Sequence, residues 1–346
     1  MGRAMTRHVA WLIGAPIERH PIDGLTSKLA SARYRCLIPA CELRNLNVRC
    51  SIFSNLYRAD PILVGRKLQQ LDVDIVVVGK LLGPSLLETA RIARSQGRYL
   101  IADFTDDFFR HPRLGSLHRE LAQLADKMVA STLQMAEAIE QNTQRASVVV
   151  LDPYEGPKGE PKFAPRRERL ELLWFGNAIN FRTLGPVLPQ LAALSERQPL
   201  RLTVVTALSQ IASVPGQLPP NFSVNLAEWS CQALWQHLAA CDVVIIPSLP
   251  APHYSAKSPN RLVEAIWAGR AVAAYPVASY CEFRDVCWLG KNIAEGIAWM
   301  TRNSGLVQKQ IAAGQTLIAK KYAPPAVAAQ WLECFDFGDA SSSCLA

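Results

Sequence analysis

The run Asp74-Ile-Val-Val-Val78 sets the first constraint on this chain. Consecutive apolar, β-branched side chains with no polar alternation leave no face for water. Such a run reads as a strand buried on both sides, as in a parallel sheet covered by helices above and below. Tyr99–Asp103 has the same character, and Val9–Ile13, Val48–Phe53, Lys127–Ala130 and Val148–Leu151 are further strand candidates. Helical stretches separate them: Ser31–Arg44, Pro84–Ser95, Leu114–Asp126, and Thr132–Gln141 behind Ser131 as N-cap. Strand–helix alternation at this spacing predicts βαβ units and a doubly wound sheet.

The composition then changes. Residues 152–165 carry Pro153, Pro157, Pro161 and Pro165 with Gly156 and Gly159, the makings of a stiff linker. A second alternating series follows. Its strands are Leu170–Phe175, Leu202–Thr206, Val224–Leu226, Asp242–Pro247 and Ala271–Ala274. Its helices are residues 184–196, Cys231–Ala240, Ser258–Ala268, Ile293–Met300 and Leu306–Lys321, with Pro324–Phe335 at the end. The 346 residues suffice for two domains. The boundaries read as 1–152, a linker 153–168, a second domain 169–320, a terminal helix 321–338 and a tail 339–346. Two α/β domains of this kind are expected to face each other across a cleft, with ligands beyond the carboxyl ends of the strands.

Charge and cysteine usage narrow the function classes. The net charge of +8 favours anionic partners, but the arginines of the first hundred residues are scattered, with no Lys/Arg run interleaved with aromatics. No nucleic-acid partner is expected; phosphorylated metabolites fit, and dispersed basic faces also suit peripheral contact with an anionic membrane. Nine cysteines without paired C-x-x-C spacing make a poor disulfide framework and a poor zinc site. The apolar run near His8 is too short for a signal peptide or a membrane span, so a cytoplasmic location, in places peripheral at the inner membrane face, is the expectation. No Gly-x-Gly-x-x-Gly follows the first strand, and neither a phosphate-binding P-loop nor a Gly-x-Ser-x-Gly elbow occurs.

The segment richest in chemistry is Lys257-Ser-Pro-Asn260-Arg261-Leu-Val-Glu264. Ser258 reads as an N-cap, with Pro259 in the first turn. Free N–H groups and the helix dipole make that end an anion site, and Lys257 and Arg261 would add full positive charges there. Cations at a helix N-terminus cost roughly 0.3–1 kcal/mol each when no anion is present. A chain that keeps them there is suited to holding a phosphate. Glu264 lies one turn beyond Arg261, and its carboxylate can accept from two vicinal hydroxyls such as those of ribose. The plain alternative is a surface helix with an Arg261–Glu264 pair.

Asp242-Val-Val-Ile-Ile-Pro-Ser248, followed by Lys257 to Val272, resembles the donor-binding signature of GT-B glycosyltransferases, especially the family 4-like group. Trp174-Phe-Gly176-Asn177, Ala125–Ser131 and Tyr322–Trp331 resemble, respectively, the first loop of their C-terminal domain, a late strand of their N-terminal domain, and their terminal helix, which crosses back to the first domain. The resemblance implies two Rossmann-like domains and a nucleotide-diphosphate sugar as co-substrate, with no cofactor and no metal. In it Lys257 and Arg261 neutralise the diphosphate, and Glu264 holds the ribose. Gly176, Asn177, Ser248, Ser258 and Asn260 line the donor, and transfer retains anomeric configuration. Many relatives carry a second glutamate eight positions before Glu264, where this chain has Ala256.

The first domain is expected to hold the acceptor: a glycan, a lipid-linked glycan or a small molecule. Gly14, Arg33 and His111 are candidate acceptor contacts. Asp106 and Asp107, after a buried strand with Asp103, are candidate catalytic carboxylates, or else ordinary acidic residues at a helix N-terminus. Arg33 and Arg35 cannot share one side of a helix. Asp152–Glu155 is expected to serve only the chain reversal. Two rival classes remain: a non-catalytic GT-B-like subunit that binds nucleotide or glycan and assists another transferase, favoured by Ala256, and a two-lobed binding receptor, opposed by the cysteines.

Overall fold

The computed structural model describes residues 7–20, 24–165, 168–211, 218–249 and 255–335. The expected tail, 339–346, lies outside them. The chain forms two compact units. The first takes residues up to Pro153, Ala256–Ser258 and the chain from Lys321; the second takes Tyr154–Ser255 and Pro259–Lys320.

The first unit is built on a parallel sheet of six strands: β1 (His8–Ile13), β4 (Arg49–Phe53), β5 (Ile75–Gly79), β6 (Tyr99–Phe104), β7 (Lys127–Ala130) and β8 (Val148–Val149). Their order is β4-β1-β5-β6-β7-β8. A small antiparallel hairpin, β2 (Glu18–His20) with β3 (Gly24–Thr26), stands apart from it. Every residue of β1 and β5 is buried. Alternation of side chains then sorts them to two faces. Ala10, Leu12, Val76 and Val78 meet the helices Pro61–Gln70, Pro84–Ser95, Gly115–Leu124 and Leu133–Thr143. Val9, Trp11, Ile13, Ile75 and Val77 meet the first helix and the last, Pro324–Phe335. The terminal helix thus returns to the N-terminal unit and covers its second face. Trp331 is fully buried there, edge-on to Trp11 with ring centres 6.1 Å apart.

The stretch expected as one helix, Ser31–Arg44, is interrupted. Ala30–Ala32 leads into a π-helical turn, Arg33–Leu37, before the α-helix Ile38–Asn45. Such turns are stabilised by tertiary partners rather than by propensity, so the hydrophobic pattern gives no sign of them.

The second unit repeats the plan with β9 (Leu170–Phe175), β10 (Leu200–Thr206), β11 (Phe222–Glu228), β12 (Val243–Ile246), β13 (Ala271–Ala274) and β14 (Trp288–Leu289). They are parallel, in the order β11-β10-β9-β12-β13-β14. Leu172, Trp174, Leu202, Val204, Val243 and Ile245 line one core with Ile293, Ile297 and Ile311 from the following helices. The helix expected at residues 184–196 is α-helical only over Leu188–Ser195; a 3₁₀ stretch, Ala178–Leu184, precedes it, with Gly185, Pro186 and Val187 between them. The proline-rich segment is packed rather than free. Phe163 is buried in this core, and a Cβ on Gly156 would lie 1.7 Å from the Trp235 ring.

The helix Asn260–Trp267 differs from expectation at its start. Pro259 occupies the N-cap position, and no side chain caps the helix, so Ser258 is not the cap. Its end follows the sequence. Gly269 has φ +76°, its N–H donates to Ile266 O (2.9 Å), and Arg270 N–H donates to Ala265 O (3.0 Å). This is a Schellman ending. A Cβ on Gly269 would lie 2.0 Å from the carbonyl oxygen of Glu160. Gly269→Ala is therefore expected to destabilise the second unit by at least ~1 kcal/mol, read as a lowered thermal midpoint. An unchanged midpoint would contradict this account of the helix end.

Candidate functional site

Each sheet has a point where its strand order reverses: β1/β5 in the first, β9/β12 in the second. Open α/β sheets bind ligands beyond the strand ends at such points. In the second unit β9 runs into Gly176-Asn177 and β12 into Pro247-Ser248. Arg261, in the first turn of the helix Asn260–Trp267, reaches this place: its Nη1 lies 3.6 Å from where a Cβ on Gly176 would stand. The absence of a side chain at Gly176 keeps backbone and guanidinium in open view of each other. Thr206 Oγ1 donates to Gly176 O (2.8 Å) and fixes the loop.

Arg261 is the unusual group. Its positive charge acts on the neighbouring Tyr280 side chain. Burial pushes the Tyr280 hydroxyl pKa up, against the pull of Arg261. Among the described residues, Arg261 Nη1 is a buried nitrogen with no hydrogen-bond partner. A cationic donor left in that state costs several kcal/mol on the order of a lost charge-assisted bond, unless a ligand completes it.

Glu264 is 1% exposed, and its Oε1 accepts from the backbone N–H of Glu155 at 2.9 Å. Asn260 opens the helix and is half-buried. Asn177 is exposed, and its Oδ1 accepts from Ile179 N–H (3.1 Å), capping the 3₁₀ stretch. Ser248 is half-buried after β12. Lys257 and Ser258, also half-buried, group with the first unit, so the segment read as one motif is shared between the two units. Ala256 is buried in the first unit's apolar cluster, its carbonyl accepting from Thr132 Oγ1 at 3.0 Å.

In the first unit, a crevice opens beyond β1, β5 and β6, lined in part by Gly14, Arg35, Tyr57, Lys80 and Asp103. Gly14 is required by contact, since a Cβ there would lie 1.9 Å from the Tyr57 ring. Tyr57 in turn donates its hydroxyl to Lys80 O (2.9 Å), and burial pushes its pKa up to about 12. Asp103 and Asp106 are separated in role. Asp103 is held by Arg35 through two bonds (3.1 and 2.6 Å), while Asp106 faces Lys80 Nζ at 3.3 Å. Asp107 caps a turn by accepting from Phe109 N–H. His111 Nδ1 accepts from Arg113 and Leu114 N–H groups, leaving Nε2 to other partners. Arg33 is 4% exposed and donates to Ser27 O, which turns its guanidinium inward.

Sequence reasoning passed over the Arg35 cluster. Arg35 also bonds Asp152 Oδ1 (2.9 Å) and lies over the Trp331 ring, 5.3 Å from its centre. Burial alone would lower the Arg35 pKa; the Asp103 and Asp152 carboxylates reverse this and hold it above its ordinary value. Asp152 therefore does more than turn the chain. The partners are 68 and 117 residues away, a pairing with no local signal.

The family-model scan finds no match, and the search of curated proteins finds none either. Solved structures do match. HepE of Anabaena in complex with UDP is 15% identical with a TM-score of 0.65, covering 94% of this chain and 99% of HepE. A glycosyltransferase from Rickettsia africae is 11% identical with a TM-score of 0.66, covering 95% and 97%. OtsA in its apo form is 14% identical with a TM-score of 0.56, covering 94% and 91%. The chain has the GT-B fold. The identities are those of a shared fold. Among the described residues no helix is long and apolar enough to cross a membrane.

Arg35→Met would leave two buried carboxylates without their cation. It is expected to destabilise the first unit by about 3–5 kcal/mol, measured by chemical denaturation. A cost under about 1 kcal/mol would mean the cluster is not the buried ionic anchor described here.

Proposed function

We propose that the chain is a glycosyltransferase that takes a sugar from a nucleotide-diphosphate sugar and passes it to a glycan, a lipid-linked glycan or a small acceptor. The carrying observation is Arg261 Nη1, a buried cationic donor with no hydrogen-bond partner among the described residues, beside the side-chain-free Gly176 at the β9/β12 switch point. As the bond between the sugar carbon and the diphosphate breaks, negative charge grows on the leaving oxygen. A preorganised guanidinium and the N–H groups of a helix start stabilise that charge more than they stabilise the ground state. Lys257, four residues earlier in the chain, supplies a second cation in this reading. Glu264 takes the ribose, and Gly176, Asn177, Ser248, Ser258 and Asn260 take the phosphates and nearby groups. Charge neutralisation by side chains makes a divalent ion unnecessary, and transfer proceeds with retention.

The binding of UDP and UDP-glucose by HepE, a protein of the same fold, makes UDP the first nucleotide to test. The acceptor is assigned to the first unit, with Gly14, Arg33 and His111 as contacts and Asp106 or Asp107 at the acceptor hydroxyl. Of the two, Asp106 is the better placed, since it faces Lys80 Nζ at 3.3 Å, whereas Asp107 accepts from Phe109 N–H and caps a turn. Contact with an anionic membrane face remains part of the proposal for a lipid-linked acceptor.

One observation favours a second reading. At position 256, where many family members carry a glutamate, this chain buries an alanine in an apolar cluster. A nucleotide-binding subunit without turnover would tolerate that. Donor hydrolysis by the purified chain separates the two, since the subunit would show none.

Arg261→Ala is expected to lower turnover at least about tenfold, equivalent to about 1.4 kcal/mol of transition-state stabilisation, with the thermal midpoint nearly unchanged. A folded variant with full turnover would remove Arg261 from the mechanism.

A further inference from the structure

We propose that the segment Tyr154–Gly159, at the start of the second unit, is a strap whose Glu155 backbone N–H orients Glu264 for the ribose hydroxyls of the donor. This rests on the donor-site reading above and deepens it by naming what positions the carboxylate.

A carboxylate as buried as Glu264 needs fixed donors, and a main-chain amide, Glu155 N–H, donates to Oε1 at 2.9 Å. A backbone donor aims a side chain only as well as its own segment is held, and this segment is held at several points. Tyr154 stacks on Trp267, ring centres 4.1 Å apart and planes 21° off parallel. Trp267 Nε1 donates to Gly156 O at 2.9 Å. Lys158 Nζ lies 5.6 Å over the same indole. Gly159 N–H donates to Trp267 O (3.0 Å), and Gln315 Nε2 donates to Gly159 O (2.7 Å). Gly156 packs so closely on Trp235 that no side chain fits there.

Trp267 is three residues beyond Glu264 on the same helix, so both project to one side of it. The strap therefore grips the helix through Trp267 and reaches back one turn to fix the carboxylate of Glu264. A carboxylate offers about four acceptor positions. Fixing Oε1 with one N–H sets the plane of the group and leaves capacity for a pair of vicinal hydroxyls. Loss of the N–H would loosen the hold on Oε1 and weaken hydroxyl recognition, while the diphosphate contacts of Arg261 would persist. Glu155 is thus a positioning residue through its main chain.

The test compares affinities for UDP and 2′-deoxy-UDP, or for GDP and 2′-deoxy-GDP if GDP is the nucleotide bound, by calorimetry on the full chain. Wild type is expected to prefer the ribonucleotide about tenfold or more. Glu155→Pro, which removes the N–H, should bring the preference to about twofold with little change in 2′-deoxynucleotide affinity. Glu155→Ala, which keeps the N–H, should restore it. If Glu155→Pro fails to fold, Tyr154→Ala removes the stack on Trp267 while leaving every residue of the helix unchanged, and should cut the preference several-fold. A folded Glu155→Pro or Tyr154→Ala protein with the wild-type preference overturns the inference, as does wild type that binds nucleotide without regard to the 2′-hydroxyl. Wild type that binds none of UDP, GDP and ADP overturns the donor-site reading itself, and the strap's role with it.

Discussion

A parallel sheet has two apolar faces, and both must be covered before it is stable in water. Much of this chain follows from how each unit meets that demand. In the first unit, four helices cover one face, and the second is completed only when Pro324–Phe335 returns with Trp331 and Phe335. In the second, the helix Asn260–Trp267 is buried along nearly its whole length from Leu262 onward. Burial of that helix carries Glu264 into the interior and leaves Arg261 half-buried with its Nη1 out of reach of water. The site is a consequence of how the sheet is sealed.

The same sealing decides which charges matter. Surface pairs such as Arg91 with Glu88 are exposed on both sides and contribute little. The buried groups behave differently. Arg35 is satisfied by two carboxylates and two main-chain carbonyls, so its cluster is a closed structural unit. Arg261 is half-buried, and among the described residues its buried Nη1 has no hydrogen-bond partner. One arginine is spent on the fold and the other is left with unmet bonding capacity at the second unit's switch point, and the donor-site proposal rests on that contrast.

The strands were legible where burial on both faces leaves unbroken apolar runs, as in Ile75–Gly79 and Leu170–Phe175. Pro324–Phe335 was legible because proline opens it and its apolar side chains recur at helical spacing. Gly269 could be placed at a helix end because a left-handed residue is needed there. What failed depends on tertiary partners. The π turn at Arg33–Leu37, the Arg35 cluster, the packing of the proline-rich segment on Trp267 and Trp235, and the grip of Glu155 on Glu264 all join residues far apart in the chain. Ser258 misled for a local reason: Pro259 can hold the N-cap position itself, without a side-chain oxygen. For the candidate site, Arg261 and Glu264 stood out in the sequence by charge and spacing, whereas Tyr280 and Tyr57 carried no such mark.

The central claim is that Arg261 Nη1 is kept unpaired in the protein to receive a diphosphate. A crystal structure of the chain with UDP tests it most directly. The account predicts a phosphate oxygen about 3 Å from Arg261 Nη1, beside the Gly176 backbone. UDP bound elsewhere, or bound with Nη1 still making no contact to phosphate, would contradict it.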